Sequence, residues 1–276
     1  MRAGIILPGG NATEQLELAM IAEDAGWDGV FVWEGSYGID AWGLLSAIAV
    51  KTSRVRLGTV LTPLPWRRPW KVASQVATLD QLSGGRAIIT VGLGAITDDL
   101  PEAGEVTDVR QRAAMLDDGI DLMRALWEGL DAYSGAIHDL RFSIRDQLDV
   151  ARPVQERVPI WVVGLWPRMK SMRRALRCDG IVPQFEGEQH DGSPELIAEM
   201  RSWLIDNGAR PDIDVIAQGE TPADDPEAVA RITEPWAAAG CTWWLETNWE
   251  MPHHSTQRME QVRTRLLARA DALRGS

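Results

Sequence analysis

Short apolar runs alternate with longer segments of helical period from one end of this chain to the other, and that alternation limits the possible folds more than any other feature. The runs cover residues 3–7, 29–33, 55–61, 87–93, 160–163, 180–183, 214–217 and 242–245, and each reads as a strand. Residues 13–25, 41–52, 69–82, 109–127, 168–177, 194–207 and 225–239 read as the helices between them, with 256–273 closing the chain. In the segment 109–127 the apolar residues Met115, Leu116, Ile120, Met123, Leu126 and Trp127 share one stripe, while Asp117, Asp118, Asp121 and Arg124 stay off it. Strands apolar on both faces, each followed by a helix, predict a parallel sheet covered by helices. Eight such units favour closure into a (β/α)8 barrel over an open doubly wound sheet. Residues just after each strand then lie on the functional face, and the turns from helix back to strand lie on the opposite one. The expected organisation is one barrel domain over residues 1–276. Residues 129–159, between units four and five, form an irregular insertion with a short hairpin.

With 276 residues, 45% of them hydrophobic, the chain can bury a sizeable core without disulfides. A net charge of -12, with Lys and Arg scattered, argues against nucleic-acid and anionic-membrane partners and leaves a small molecule as the expected one. No apolar stretch is long enough to span a bilayer and the N-terminal apolar run is too short for a signal peptide, so a cytoplasmic location is expected. Asn11-Ala12-Thr13 reads as a helix start capped by Asn11 or Thr13, and Cys178 and Cys241 as buried thiols. Thirteen tryptophans supply large aromatic surface with indole N–H donors, which suits a pocket wall that is flat and polar at one end.

Several strings fall at strand ends. Gly92-Leu93-Gly94 lacks the third glycine of a dinucleotide fingerprint, Thr97 standing in its place, but glycines at a strand end let a flat ring approach the backbone. In Val163-Gly164-Leu165-Trp166-Pro167-Arg168 a strand leads into a helix with proline near its first turn, a geometry that suits a phosphate, with Arg168 and Lys170 adding charge. Arg67 and Arg68, between Trp66 and Trp70, suit an anionic group. Glu34, Glu186, Glu220 and Glu246 fall at or beyond strand ends as candidate acid/base groups, and Glu246 follows Trp243 and Trp244, whose indoles would dry its site. The four histidines, His138, His190, His253 and His254, show no metal-binding spacing and read as surface residues, and no serine elbow is present.

The strings Thr52-Ser53-Arg54-Val55-Arg56-Leu57-Gly58-Thr59 and Ala77-Thr78-Leu79-Asp80-Gln81-Leu82-Ser83-Gly84-Gly85-Arg86 closely resemble the bacterial-luciferase-like family of flavin- and deazaflavin-dependent oxidoreductases. Further matches include residues 22–29, 91–94, 159–164 and 178–180, with Arg112 and Leu116-Asp117-Asp118. Ser83-Gly84-Gly85-Arg86 itself reads as a helix stop on the far face, and Asp28, Asp80 and Asp179 read as structural there. The tail 239–246 looks like a compact branch of the family. The resemblance implies a (β/α)8 barrel that holds FMN or, alternatively, a deazaflavin coenzyme over its mouth. It further implies a separate reductase where the cofactor requires one, and a homodimer. It puts Thr59, Val60 and Leu61 under the cofactor ring, with Gly92 and Gly94 beside it and Gly164, Leu165, Trp166 and Arg168 near its phosphate. Trp33, Trp66, Arg68 and Trp244 become candidate substrate contacts. Many relatives carry Glu and then one or two histidines after the second strand. Here Trp33-Glu34-Gly35-Ser36-Tyr37-Gly38 keeps the Glu alone, so Glu34, Ser36 or Tyr37, together with Glu246, are the candidates for proton transfer.

Two functions are compatible with these residues. One is an oxidoreductase whose cofactor transfers a hydride or activates oxygen against a small organic substrate, the protein binding, orienting and excluding water. The other is a flavin-binding or structural barrel that has lost the family's catalytic histidines.

Overall fold

In the computed structural model, which describes residues 1–95, 104–142, 150–187, 192–247 and 256–268, the eight expected strands close into a barrel. The elements run β1 (Arg2–Ile6), α1 (Ala12–Asp24), β2 (Gly29–Val32), α2 (Ala41–Lys51), β3 (Arg56–Pro63), α3 (Pro69–Ser83), β4 (Ala87–Gly92) and α4 (Val109–Trp127). They continue through β5 (Ala132–Ser134), β6 (Asp139–Arg141), β7 (Ile160–Trp166), α5 (Met169–Ala175), β8 (Gly180–Phe185), α6 (Pro194–Asp206), β9 (Asp214–Gly219), α7 (Pro226–Ala238), β10 (Trp243–Glu246) and α8 (Thr256–Leu267). Around the barrel the order is β1, β10, β9, β8, β7, β4, β3, β2, every neighbouring pair parallel. β5 and β6 form a separate antiparallel hairpin after α4.

Local chemistry sets the element ends. Asn11 caps α1 by accepting from the backbone N–H groups of Thr13 and Glu14, and Glu14 returns the favour to the Asn11 N–H, a complete capping box. Proline opens α3, and Gly84 ends it in the left-handed conformation at φ 67°. Arg86 then turns its guanidinium onto the carbonyls of Ala49, Thr52, Val55 and Ser83, which ties the end of α2 to the start of β4.

Carboxylates on this far face fasten one unit to the next, as expected for Asp28, Asp80 and Asp179. Asp28 accepts from Ala3 N, Asp80 from Gln155 N and Ala87 N, and Asp179 from Ile160 N while pairing with Arg124 and Arg157. Glu23 does the same for β3, accepting from the N–H groups of Ser53, Arg54 and Val55. Burial alone would raise its carboxyl, but these three donors and the Arg54 charge outweigh that and hold it below its ordinary value.

Inside the barrel the tryptophans find their main use. Phe31, Trp161 and Trp243 meet with ring centroids 5.4–5.8 Å apart, joined by Ile6, Val60, Ile88, Val182, Ile216 and Leu245. Gly29 and Gly180 make room, since a Cβ on Gly180 would stand 2.3 Å from Trp161 Cδ1 and one on Gly29 2.9 Å from the Trp243 ring. Trp166 with Trp203 and Trp236 with Trp244 pack in the layer between strands and helices. The pocket-wall role expected for the indoles is thereby corrected for these six, which fill core space; the large flat rings satisfy packing before recognition.

Cys178 and Cys241 are buried free thiols, both pushed up to about 12 by burial, which removes them as nucleophiles. His138 is not the surface residue expected: its Nδ1 lies 2.6 Å from Asp118 Oδ2 and its ring meets the edge of Trp70, pinning the hairpin to α4 and α3. His190, His253 and His254 lie outside the described residues.

Two stability measurements follow from this packing. A Cβ at Gly58 would sit 2.3 Å from the Ile88 carbonyl oxygen, a backbone atom with no room to give. Gly58→Ala is expected to cost about 1–3 kcal/mol in urea unfolding, and an unchanged midpoint would contradict the packing. Glu23→Gln is expected to cost about 1.5–3 kcal/mol at pH 7, the range for hydrogen bonds to a charged group. Because the folded carboxyl titrates below its ordinary value, the wild-type advantage is present above that value and is lost as pH falls through the folded one. The two unfolding curves should therefore converge in acid.

Candidate active site

Strand parity decides which residues reach the barrel mouth. On β3 the pairing with β4 shifts register between Thr59 and Thr62, three steps on β3 facing two on β4. The Val60–Leu61 peptide at this bulge is cis. Val60 joins the barrel interior, and Leu61 also turns inward over Gly92, where a Cβ would lie 2.9 Å from Leu61 Cδ2 and 3.5 Å from Val163 Cβ. Val60, Leu61, Gly92 and Val163 make an apolar floor above the aromatic plug, with Leu165 next in line on β7. Thr59 is fully buried, its hydroxyl engaged with Thr90 O and Thr62, and does not face the mouth.

The β4 end is braced from behind. Gly94 takes φ +76° close against Pro63 and Trp66. Arg112 on α4 is buried, donates to the carbonyls of Leu93 and Gly94 (3.0 Å for the latter), and lies over the Trp66 ring. Burial pushes the Arg112 guanidinium down against the opposing charge of Glu105. Trp66, expected to touch substrate, is thus part of this brace. Arg68 is exposed over Trp70.

On β7 the parity separates the expected phosphate residues. Leu165 faces the mouth, its N–H donating to Ser171 Oγ at 2.9 Å. A Cβ on Gly164 would meet Ile181 and Met172, and Trp166 packs at a tilt against Trp203, so both face the helices. Arg168 precedes α5, exposed, and pairs with Glu186.

All four candidate carboxylates have an arginine partner. Glu34 pairs with Arg67, which also donates to Gln75 Oε1 at 2.9 Å; burial lifts the Glu34 carboxyl above its ordinary value against the pull of Arg67, Thr62 and Trp42. Glu186 holds Arg168, and Glu220 holds Arg265 at 3.3 Å. Glu246 is fully buried outside the lumen. It accepts from Thr221 N (2.7 Å), Thr221 Oγ1 (2.8 Å) and Trp244 Nε1 (3.1 Å), and meets Arg265 of α8 at 2.6 Å. The proton-transfer role expected of Glu246 and the substrate role expected of Trp244 are corrected here. Trp243 and Leu245 point into the barrel, so their alternates Trp244 and Glu246 point out.

Beside the floor, between the β1–α1 and β2–α2 loops, opens a cleft of about 820 Å³. Trp33 and Tyr37 line it with Ile39, Glu14, Gly10 and Met259 of α8. Tyr37 is 98% exposed. The Gly9-Gly10 pair at a strand end was the readable signal for this cleft; Met259, from the last helix, had none. Among the described residues no group of three or more His, Cys, Asp or Glu is arranged to hold a metal, and no helix is long and apolar enough to cross a membrane.

The model of the luciferase-like monooxygenase family matches residues 1–274. A Mycobacterium tuberculosis protein named for coenzyme F420-dependent oxidoreduction is 29% identical over 230 residues, covering 78% of this chain and 63% of that longer relative. An F420-dependent secondary alcohol dehydrogenase, solved with an F420-acetone adduct, superposes with a TM-score of 0.76 over 99% of both chains at 18% identity. The oxygenating constituent of 3,6-diketocamphane monooxygenase from Pseudomonas putida, solved with FMN, gives 0.69 over 96% of both at 17% identity. With the barrel, the bulged third strand and a family match that spans nearly all of its length, this chain belongs to the luciferase-like monooxygenase family.

Proposed function

We propose that the chain, as one barrel domain over residues 1–276 with 129–159 as its insertion, is a cytoplasmic oxidoreductase. It binds FMN or the deazaflavin coenzyme F420 over the barrel mouth and acts on a small organic substrate. The observation that carries this reading is the floor of Val60, Leu61, Gly92 and Val163, apolar throughout, with Leu61 lying so close over Gly92 that a Cβ there would stand 2.9 Å from it. It fits the face of a tricyclic ring, and the names of the relatives support both cofactors. When bound, the ring supplies hydride transfer, or oxygen activation in the flavin case, with a separate reductase then returning it to the reduced form.

The chain's own residues bind and position. Leu61 and Val163 support one ring face and exclude water below it. Gly94, braced by Arg112, shapes the wall, and Arg168 is the cation within reach of a phosphate end. Glu34 and Arg67 hold each other and fix the root of the β2–α2 loop, so that Trp33 and Tyr37 project over the cleft. Since each candidate carboxylate is tied to an arginine, Tyr37 Oη is the proton-bearing side chain offered to the substrate.

Titration of the purified protein with FMN and with coenzyme F420, oxidised and reduced, followed by quenching of tryptophan emission, should show saturable binding of one of them. Gly92→Val, which puts a branched side chain against Leu61 and Val163, should weaken that binding at least tenfold, about 1.4 kcal/mol. Binding of neither cofactor would overturn the oxidoreductase reading in favour of the structural barrel. Equal binding by Gly92→Val would move the cofactor off this floor.

A further inference from the structure

The cleft between the β1–α1 and β2–α2 loops has a charge character of its own. Among the described residues no Lys or Arg lines it, and Glu14 is the charged one. Glu14 sits in the first turn of α1, whose backbone N–H groups would otherwise attract an anion. That opportunity is closed, because Asn11 Oδ1 already accepts from Thr13 N and Glu14 N, and Glu14 Oε2 accepts from Asn11 N. A helix end carries roughly half a positive charge. A full carboxylate beside it leaves the cleft net negative, and Glu14 forms no ion pair among the described residues. Trp33, Tyr37 and Ile39, all exposed, line the same cleft as Glu14, and indole and phenol rings attract a cation as well as a flat ring. Of the mouth's arginines, Arg67 and Arg168 are paired to Glu34 and Glu186, and neither they nor Arg68, which lies over Trp70, line the cleft.

We propose that this cleft is the substrate subsite and that it selects ring-bearing amines, then alcohols, over carboxylates and phosphates of the same size. The ring lies against Trp33, Tyr37 and Ile39, and the donor group points to Glu14. The proposal names the substrate class for the oxidoreductase reading above and rests on it for catalysis, but binding can be measured alone.

The test is equilibrium binding of 2-phenylethylamine, 2-phenylethanol and 3-phenylpropanoate by isothermal calorimetry, with and without FMN or coenzyme F420. The expected order is amine, alcohol, carboxylate, with about tenfold or more between first and last. Glu14→Gln keeps a side chain that serves the capping box and should shrink that ratio about tenfold. Ile39→Arg, at an exposed position, should reverse it. A carboxylate that binds as well as the amine, or none of the three binding, overturns the proposal. So does an order untouched by both substitutions, which would place the ligand elsewhere. If the order holds while neither cofactor binds, the cleft stands as a binding site and the oxidoreductase reading falls. If a cofactor binds and the order fails, only the substrate class falls.

Discussion

Three aromatic rings packed across the inside of the barrel are the constraint on which the remaining structure depends. Phe31, Trp161 and Trp243 occupy the lumen from three strands, and each ring requires a facing strand with no side chain there, a need met by Gly4 for Phe31, Gly180 for Trp161 and Gly29 for Trp243. Such ring pairs add about 0.5–1.5 kcal/mol each beyond the area they bury. Their larger consequence is geometric. A plug of that volume leaves only one layer above it, so the residues at the mouth are the next inward positions, Val60, Leu61, Gly92 and Val163. The bulge on β3 widens this layer by turning two successive residues inward where an ideal strand would supply one.

Charge organises the outer parts of the same face. The arginines of the β3–α3 and β7–α5 connections and of α8 reach glutamates that leave β2, β8, β9 and β10, so each pair bridges elements distant in sequence. Glu246 and Arg265 show the logic best. Two charges removed from water cost several kcal/mol each unless paired and hydrogen-bonded, and Thr221 and Trp244 complete the shell of Glu246. The pair anchors α8, and α8 in turn carries Met259 to the cleft. Glu246 thus acts on the site through helix placement.

The fold was legible because periodicity is a property of consecutive residues: every barrel strand lies within a few positions of its apolar run, and Asn11 and Gly84 cap where their chemistry predicts. The site was legible only in part. Val60, Leu61 and Gly92 converge, whereas Trp166, Trp244 and Glu246 fall on the outward parity of strands whose inward residues are equally apolar. In a two-sided strand such as Trp243-Trp244-Leu245-Glu246, composition does not say which alternate faces the lumen; only the register with β1 and β9 does. His138 escaped for a related reason, since its partner Asp118 is 20 residues away and belongs to another element.

The absence of an unpaired carboxylate in the predicted set changes how chemistry at this mouth must be divided. A general base needs a titrating group near the reacting atom, and an arginine partner fixes a carboxylate in one orientation, turned to its own ion pair. Glu34, locked to Arg67 behind Trp33, serves better as a hinge pin for the β2–α2 loop than as a proton acceptor. The same loop then presents an indole and a phenol, flat, weakly polar and free of charge, toward a cleft whose charge comes from Glu14. An arrangement of this kind recognises a substrate by ring stacking and by the sign of its polar group, and leaves bond-making to a ring held on the apolar floor alongside.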